Sequence, residues 1–228
     1  MNNKNQRLHP AAFHKRWYHL TALRNVLIEE FREAMAKRNP RPTLVDLGCG
    51  SMPYREIFAP RVDRYIGVDL AANPGADLHF DQNGQAPLAD ASVDIVLSSQ
   101  VLEHVPSPQE YLREAHRLLE PGGLLILSTH GYWMYHPDPT DFWRWTRDGL
   151  RKEIEQAGFR IEQIRGVMNL AASGLQLFQD GVSAHIPRPL RPLFIWLNNR
   201  VMAVVDKLGS AESRNRDACV FVIRAIKN

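Results

Sequence analysis

Between Phe13 and Lys37 the apolar residues Leu20, Leu23, Leu27, Phe31 and Ala34 recur at three- and four-residue steps, which predicts one amphipathic helix. Pro40 and Pro42 end it, because proline cannot donate to a helical turn. Four short apolar runs follow: Thr43 to Leu47, Arg64 to Val68, Asp94 to Ser98 and Leu124 to Thr129. Segments of helical or turn character separate them, and that rhythm predicts βαβ units with parallel strands. Tyr111 to Leu119 puts Leu112, Ala115, Leu118 and Leu119 on one helical face, and Pro121-Gly122-Gly123 is a turn before the next strand. Thr146 to Ala157 reads as a helix closed by Gly158, and Phe159 to Ile164 begins a further strand. Asn169 to Ala211 reads as an irregular, partly helical insertion, and Ala218 to Ile226 as a last apolar strand. The expected organisation is a helical segment at 1–42 covering the sheet, an α/β core at 43–168 and 212–228, and an insertion at 169–211. The insertion is a candidate acceptor cap, membrane surface or dimer surface.

Composition narrows the function classes. The 228 residues, 44% hydrophobic, suffice for one sizeable core rather than two. Lys and Arg number 28 against 25 Asp and Glu, and a formal charge of +3 is too even to announce a nucleic acid partner. The two cysteines, Cys49 and Cys219, belong to no metal-ligand spacing or disulfide framework, so reduced thiols in cytoplasm are expected. The polar start, MNNKNQRLHP, lacks the apolar core of a secretory signal. Leu190 to Leu208, the most apolar stretch, contains Arg191, Asn198, Asn199, Arg200 and Asp206, too polar to span a bilayer. Its Leu193, Phe194, Ile195, Trp196 and Leu197, with Arg188, Arg191 and Arg200, suit a peripheral position at the inner membrane face.

Val45-Asp46-Leu47-Gly48-Cys49-Gly50 sets a carboxylate near a strand end and two glycines in the turn after it. Glycine there permits a tight turn and lets a ligand approach backbone N–H groups. The second strand ends Ile66-Gly67-Val68-Asp69, which places an acid where ribose hydroxyls can donate to it. A dinucleotide would suit the same pair of signals, but Pro53 stands where the third glycine of G-x-G-x-x-G belongs.

These motifs, followed by Phe80-Asp81, DIVLSSQVLEHV at 94–105 and RLLEPGGLLILS at 117–128, resemble in order those of class I S-adenosylmethionine-dependent methyltransferases of the small-molecule, type 11-like group. The resemblance implies an α/β, Rossmann-like three-layer sandwich, with a mostly parallel seven-stranded sheet whose last strand runs antiparallel between its neighbours. It implies S-adenosylmethionine as cofactor. The glycine loop with Asp46, Gly48 and Gly50 would surround the methionine part, Asp69 with Leu70 beside it would hold the ribose, and Asp81 would accept from the adenine amine. Gln82 would offer backbone contacts to adenine, and Ser99 and Gln100 would border the carboxylate and sulfonium. YWMYHPDPTDFWRWT at 132–146 more loosely resembles methyltransferases of polysaccharide and glycolipid biosynthesis, which implies a sugar or lipid-linked sugar as the small-molecule acceptor.

Methyl transfer needs an in-line nucleophile and exclusion of water, and a base assists. His104, His130, His136, Asp138 and Asp141 are candidates for that base; His130, His136 and Asp141 are taken as catalytic and His104 is read as structural. The aromatics from Tyr132 to Trp145 suit either a sugar-stacking wall or plain packing, and Asp138-Pro139-Thr140-Asp141 a rigid turn. No metal is required. Two rival readings stand beside this one: a non-catalytic scaffold of the same fold, and an RNA methyltransferase using Trp143-Arg144-Trp145, Arg147 and Arg151.

Overall fold

The apolar runs pair side by side because near-continuous aliphatic strands bury both faces only inside a covered sheet. In the computed structural model, which describes residues 5–36 and 41–228, these strands form one seven-stranded sheet. The strands are β1 (Thr43–Leu47), β2 (Arg64–Asp69), β3 (Leu78–His79), β4 (Val93–Ser99), β5 (Leu119–His130), β6 (Phe159–Val167) and β7 (Val220–Lys227). Their order is β3-β2-β1-β4-β5-β7-β6. All pairs from β3 to β5 are parallel, and β7 lies antiparallel between β5 and β6. The expected Rossmann-like class and its antiparallel last strand are therefore present.

The helices are α1 (Trp17–Met35), α2 (Arg55–Phe58), α3 (Pro108–Leu118), α4 (Arg147–Gln156), α5 (Leu170–Val182), α6 (Arg191–Leu208) and α7 (Ala211–Arg216). Alternation along each strand sends Val45, Leu47, Val68 and Val96 to one face, where Leu112 and Ala115 of α3 and Leu150 and Ile154 of α4 cover them. Leu44, Ile95 and Leu97 point the other way, onto Leu23, Leu27 and Phe31 of α1. Side-chain caps start several helices: Thr146 accepts from Gly149 N at 3.1 Å, Asn169 from Ala172 N at 2.8 Å and Ser210 from Ser213 N at 3.1 Å.

Several boundaries differ from the sequence reading. The first helix begins at Trp17 rather than Phe13; Lys37 and Pro40, at its expected end, lie outside the described residues. Pro121-Gly122-Gly123 falls inside the β5 ladder, where the register with β4 shifts between Val93 and Ile95. β6 runs on to Val167 because the facing β7 supplies partners that far, Val167 opposite Val220. The 169–211 segment holds two long helices, α5 and α6, and reaches the start of α7.

One charge breaks the apolar face of α1. Glu30, fully buried, lies among Arg224 of β7 at 2.8 Å and Arg165 of β6, and Arg224 also meets Glu33 at 2.7 Å. Burial alone would make this carboxylate expensive, and it does push the Glu30 pKa up; the two guanidiniums offset the cost and fix α1 against the β6–β7 edge. Arg224→Met leaves Glu30 with one cation, so denaturant unfolding is expected to show a loss of about 2 to 3 kcal/mol. A loss below roughly 0.5 kcal/mol, the level of an ordinary surface change, would mean that the network does not anchor the helix.

Candidate functional site

Strand order reverses at β1, whose neighbours β2 and β4 belong to opposite halves of the sheet. In open α/β sheets the crevice at the carboxyl ends of such strands is the expected ligand site. A cavity of ≈ 1100 Å³ opens there, with Gly48, Gly50, Asp69, Leu70, Phe80, Asp81, Gln82, Ser99, Gln100 and His104 among its walls.

The glycine loop is built by sharing one acceptor: Gly48 N and Cys49 N donate to Val68 O at 2.8 and 3.0 Å. Gly48 has φ +74, and a Cβ there would sit 2.6 Å from Val101, so only glycine fits. Gly50, φ +51, has nothing within 4 Å of where its Cβ would stand. Its amide donates to Asp69 Oδ2 at 2.7 Å, and Asn73 Nδ2 reaches the same oxygen at 2.7 Å and Gly50 O at 2.8 Å. Leu70 N donates to Asp69 Oδ1 at 2.7 Å. The carboxylate is thus aimed before any ligand arrives, and beside it Leu70 leaves 55% of its surface in the cavity mouth.

Across the cavity Asp81 closes an Asx turn, its Oδ1 accepting from Asn83 N at 2.8 Å and Gln85 N at 2.9 Å. The Gln85 amide above all holds its pKa below the ordinary carboxylate value. Gln100 occupies the left-handed region at φ +59, held by its amide on Ser128 O at 2.9 Å. A non-glycine residue in that region at a strand end is strain of the kind found at ligand sites. Tyr111 lines the wall with its hydroxyl between Leu47 O at 2.8 Å and Ser98 Oγ at 2.7 Å.

Six of the seven expected cofactor residues besides the glycines therefore line one cavity, Asp69, Leu70, Asp81, Gln82, Ser99 and Gln100, and the seventh, Asp46, does not. Asp46 is 2% exposed and is not part of the wall; Tyr65 Oη donates to its Oδ2 at 2.5 Å. Burial, helped by Asp69, pushes its pKa up to about 7. Cys49 is inert in the same loop, its thiol pushed up to about 12 by burial and by neighbouring carboxylates.

Comparison with known proteins now decides the family. Residues 18–164, more than half of the chain, match the family model described as a methyltransferase domain. The chain belongs to the class I S-adenosylmethionine-dependent methyltransferases. A probable S-adenosylmethionine-dependent methyltransferase of Mycolicibacterium smegmatis is 28% identical over 60% of this chain and 59% of its own length. A ubiquinone biosynthesis O-methyltransferase of Ruegeria pomeroyi is 39% identical over 38% of this chain and 40% of its own. The matches thus span less than two thirds of these curated relatives. A solved S-adenosylmethionine-dependent methyltransferase from Mesorhizobium loti shares the fold with TM-score 0.56 and 18% identity, covering 90% of this chain and 98% of that one.

The residues taken as catalytic bases of this methyltransferase are the last residue of β5, His130, and His136 and Asp141 of the loop 131–146, and none of the three is part of the cavity wall. His130 is 3% exposed, stacked on Trp133 at 5.1 Å, with Nδ1 2.9 Å from Glu103 Oε1. Glu103 has no exposure, and Thr129 Oγ1 donates to its other oxygen at 2.8 Å. Burial would raise its pKa, but His130 and Thr129 outweigh that and hold it below the ordinary value. His136 lies edge-on to His104 at 5.6 Å and to His130 at 6.1 Å. Burial first, then those two rings, lower its pKa below 6.5.

Asp141, the third candidate, is held in an ion pair. Arg144 grips both its oxygens at 2.6 Å, and His136 N donates to it at 2.7 Å. Arg144 accordingly lowers its pKa, which makes it a poor base and a good clamp for the loop. Sequence reasoning missed Asn73, Glu103 and Arg7, the last placed in the cavity wall by the segment before α1. The Glu103-His104 pair lay within the family motif, but nothing in its spacing signals a buried carboxylate. Among the described residues no group of three or more His, Cys, Asp or Glu side chains is arranged to hold a metal ion.

The raised Asp46 pKa has a pH signature. The neutral form's preference for the fold is complete below the unfolded value near 4 and is lost as pH rises to about 7. Asp46→Asn keeps an acceptor for Tyr65 and is expected to flatten the decline of unfolding free energy between pH 4 and about 7, measured by urea titration at several pH values. The same slope in both proteins would show that Asp46 is not the titrating group.

Proposed function

We propose that this chain binds S-adenosylmethionine in the cavity at the carboxyl ends of β1, β2 and β4 and methylates the oxygen of a small acceptor, a sugar or lipid-linked sugar. The observation that carries the first half is the pre-aimed Asp69, bracketed by the open Gly50 loop and the Leu70 side chain. A carboxylate accepts from two ribose hydroxyls, an exposed aliphatic side chain covers a flat purine, and Asp81 with Gln82 gives the purine edge its polar partners. This donor set fits the cofactor. Bound there, S-adenosylmethionine supplies an electrophilic methyl group on a sulfonium.

The acceptor half rests on what rims the other end of the cavity. His104, Asp138 and Pro139 line it there, and Tyr135 and Phe142 stand 76% and 48% exposed on the same loop. Exposed rings beside an acid are the combination that stacks on a pyranose face and binds its hydroxyls. His136, kept neutral at pH 7 by its surroundings, takes the proton from the acceptor hydroxyl. His130 and the ionised Glu103 stand behind it and position it, and Asp141 with Arg144 holds the loop that carries it.

Two kinetic outcomes test this with labelled S-adenosylmethionine and a panel of nucleotide sugars, glycolipids and phenols. Asp69→Ala should raise KM for the cofactor about tenfold to a hundredfold, the worth of hydrogen bonds to a charged group; an unchanged KM would remove Asp69 from the site. His136→Ala should lower kcat about a hundredfold and abolish the fall in rate below pH 6.5 that protonation of His136 causes. A variant with wild-type kcat and pH profile would contradict its role.

A further inference from the structure

The two long helices of the 169–211 segment are turned inside out. On α6 the residues facing the protein include Asn198, Asn199 and Asp206, all buried and all hydrogen-bonded. Asn198 Nδ2 donates to Leu175 O at 3.1 Å, Asn199 Nδ2 to His14 O at 3.2 Å, and Asp206 accepts from Tyr18 Oη at 2.7 Å and Asn169 N at 2.6 Å. The face turned to solvent carries an aliphatic row along its length. Leu193, Leu197, Val201, Val204 and Leu208, spaced at three and four, are 55, 49, 47, 61 and 80% exposed, with Leu190 at 57% just before them. α5 repeats the inversion: Ser173, Gln176 and Gln179 are buried, while Leu170, Leu177 and Phe178 are exposed. Phe178 and Phe194 meet at 6.5 Å, so the two outer faces form one surface.

A core-covering helix places its apolar stripe inward. Here Ile195, Met202 and Ala172 pack inward beside the satisfied polar groups, but the aliphatic row of α6 with Leu170, Leu177 and Phe178 of α5 is left for something else to cover, over an area of the kind that marks an interaction site. The charges around it say what. Residues 170–210 contain two acids, Asp180 and Asp206, and both are held inward, Asp180 by Arg16 and Asp206 by Tyr18 and Arg214. The exposed charges on this segment are Arg188, Arg200 and Lys207, with Arg200 stacked over Trp17 at 4.9 Å and Trp196 at 5.4 Å at the edge of the stripe. A two-fold partner made by a second copy would set these cations against their own kind.

We infer that the outer face of α5 and α6 lies on an anionic lipid surface, with the aliphatic row of α6 in the acyl boundary and Arg188, Arg200 and Lys207 among the headgroups. No described helix is long and apolar enough to cross a membrane, so the contact is interfacial. The seam differs from the consecutive run Leu193 to Leu197 expected from sequence, because Ile195 faces inward and the true row continues to Leu208. This docking needs nothing from the acceptor chemistry proposed above.

Vesicle flotation of the full chain tests it, using phosphatidylcholine alone and phosphatidylcholine with phosphatidylglycerol. The wild type should float with the anionic vesicles, and the double change Leu197→Glu and Val204→Glu should stay behind while its thermal unfolding is unchanged, since both side chains are exposed. Lys207→Glu should weaken vesicle binding about fivefold or more, as expected for a lost cation near the surface. A wild type that never floats, or a double variant that floats equally well, would overturn the inference. So would a concentration-dependent dimer in sedimentation that the double change dissociates while vesicles are ignored.

Discussion

A single carbonyl, that of Val68, organises the site. By accepting from both Gly48 N and Cys49 N it folds the loop after β1 back over the end of β2, and that fold brings Gly50 N within 2.7 Å of Asp69. The parallel register makes this contact available: Leu47 stands beside Val68 and Asp46 beside Gly67, so the ends of the two strands are level. The left-handed Gly48 is the consequence, since the turn that reaches Val68 O leaves no room for a Cβ against Val101. Asn73 then locks the arrangement from the far side. Cofactor specificity, in this account, is a property of backbone geometry first and of side chains second.

The same sheet explains why some residues that share a motif do different work. Asp46 and Asp69 sit one strand apart, yet one is sealed under the loop against Tyr65 and the other opens to the cavity. Position along a strand decides it: Asp46 is interior to β1, where both faces are covered, whereas Asp69 is the last residue of β2. A comparable division separates the candidate bases. Asp141 is spent on Arg144, Glu103 on His130 and Thr129, and His136 keeps a ring that desolvation leaves neutral.

Most of the fold was legible because it rests on runs of apolar residues and on punctuation. β1 occupies the stretch read from Thr43 to Leu47, and Thr146 and Gly158 bracket α4 as a cap and a left-handed stop, φ +94. The cofactor wall was legible for the same reason, since glycines and acids at strand ends are local signals. What escaped was set by distant partners. Asn73 acquires its role from Gly50, Glu103, in the turn after β4, from His130 at the end of β5, and Arg7 from a segment that precedes the first helix. The polarity of α6 escaped for a further reason: a helical wheel shows one apolar stripe without telling which way it faces, and here it faces out.

The claim on which all of this rests is that the cavity beside Asp69 takes S-adenosylmethionine. Calorimetric titration of the full chain with S-adenosylmethionine, S-adenosylhomocysteine and NAD measures it directly. The expected result is saturable one-site binding of the first two and no heat with NAD, whose pyrophosphate would need the glycine that Pro53 replaces. Absence of binding by both sulfur nucleotides, or equal binding of NAD, would contradict it.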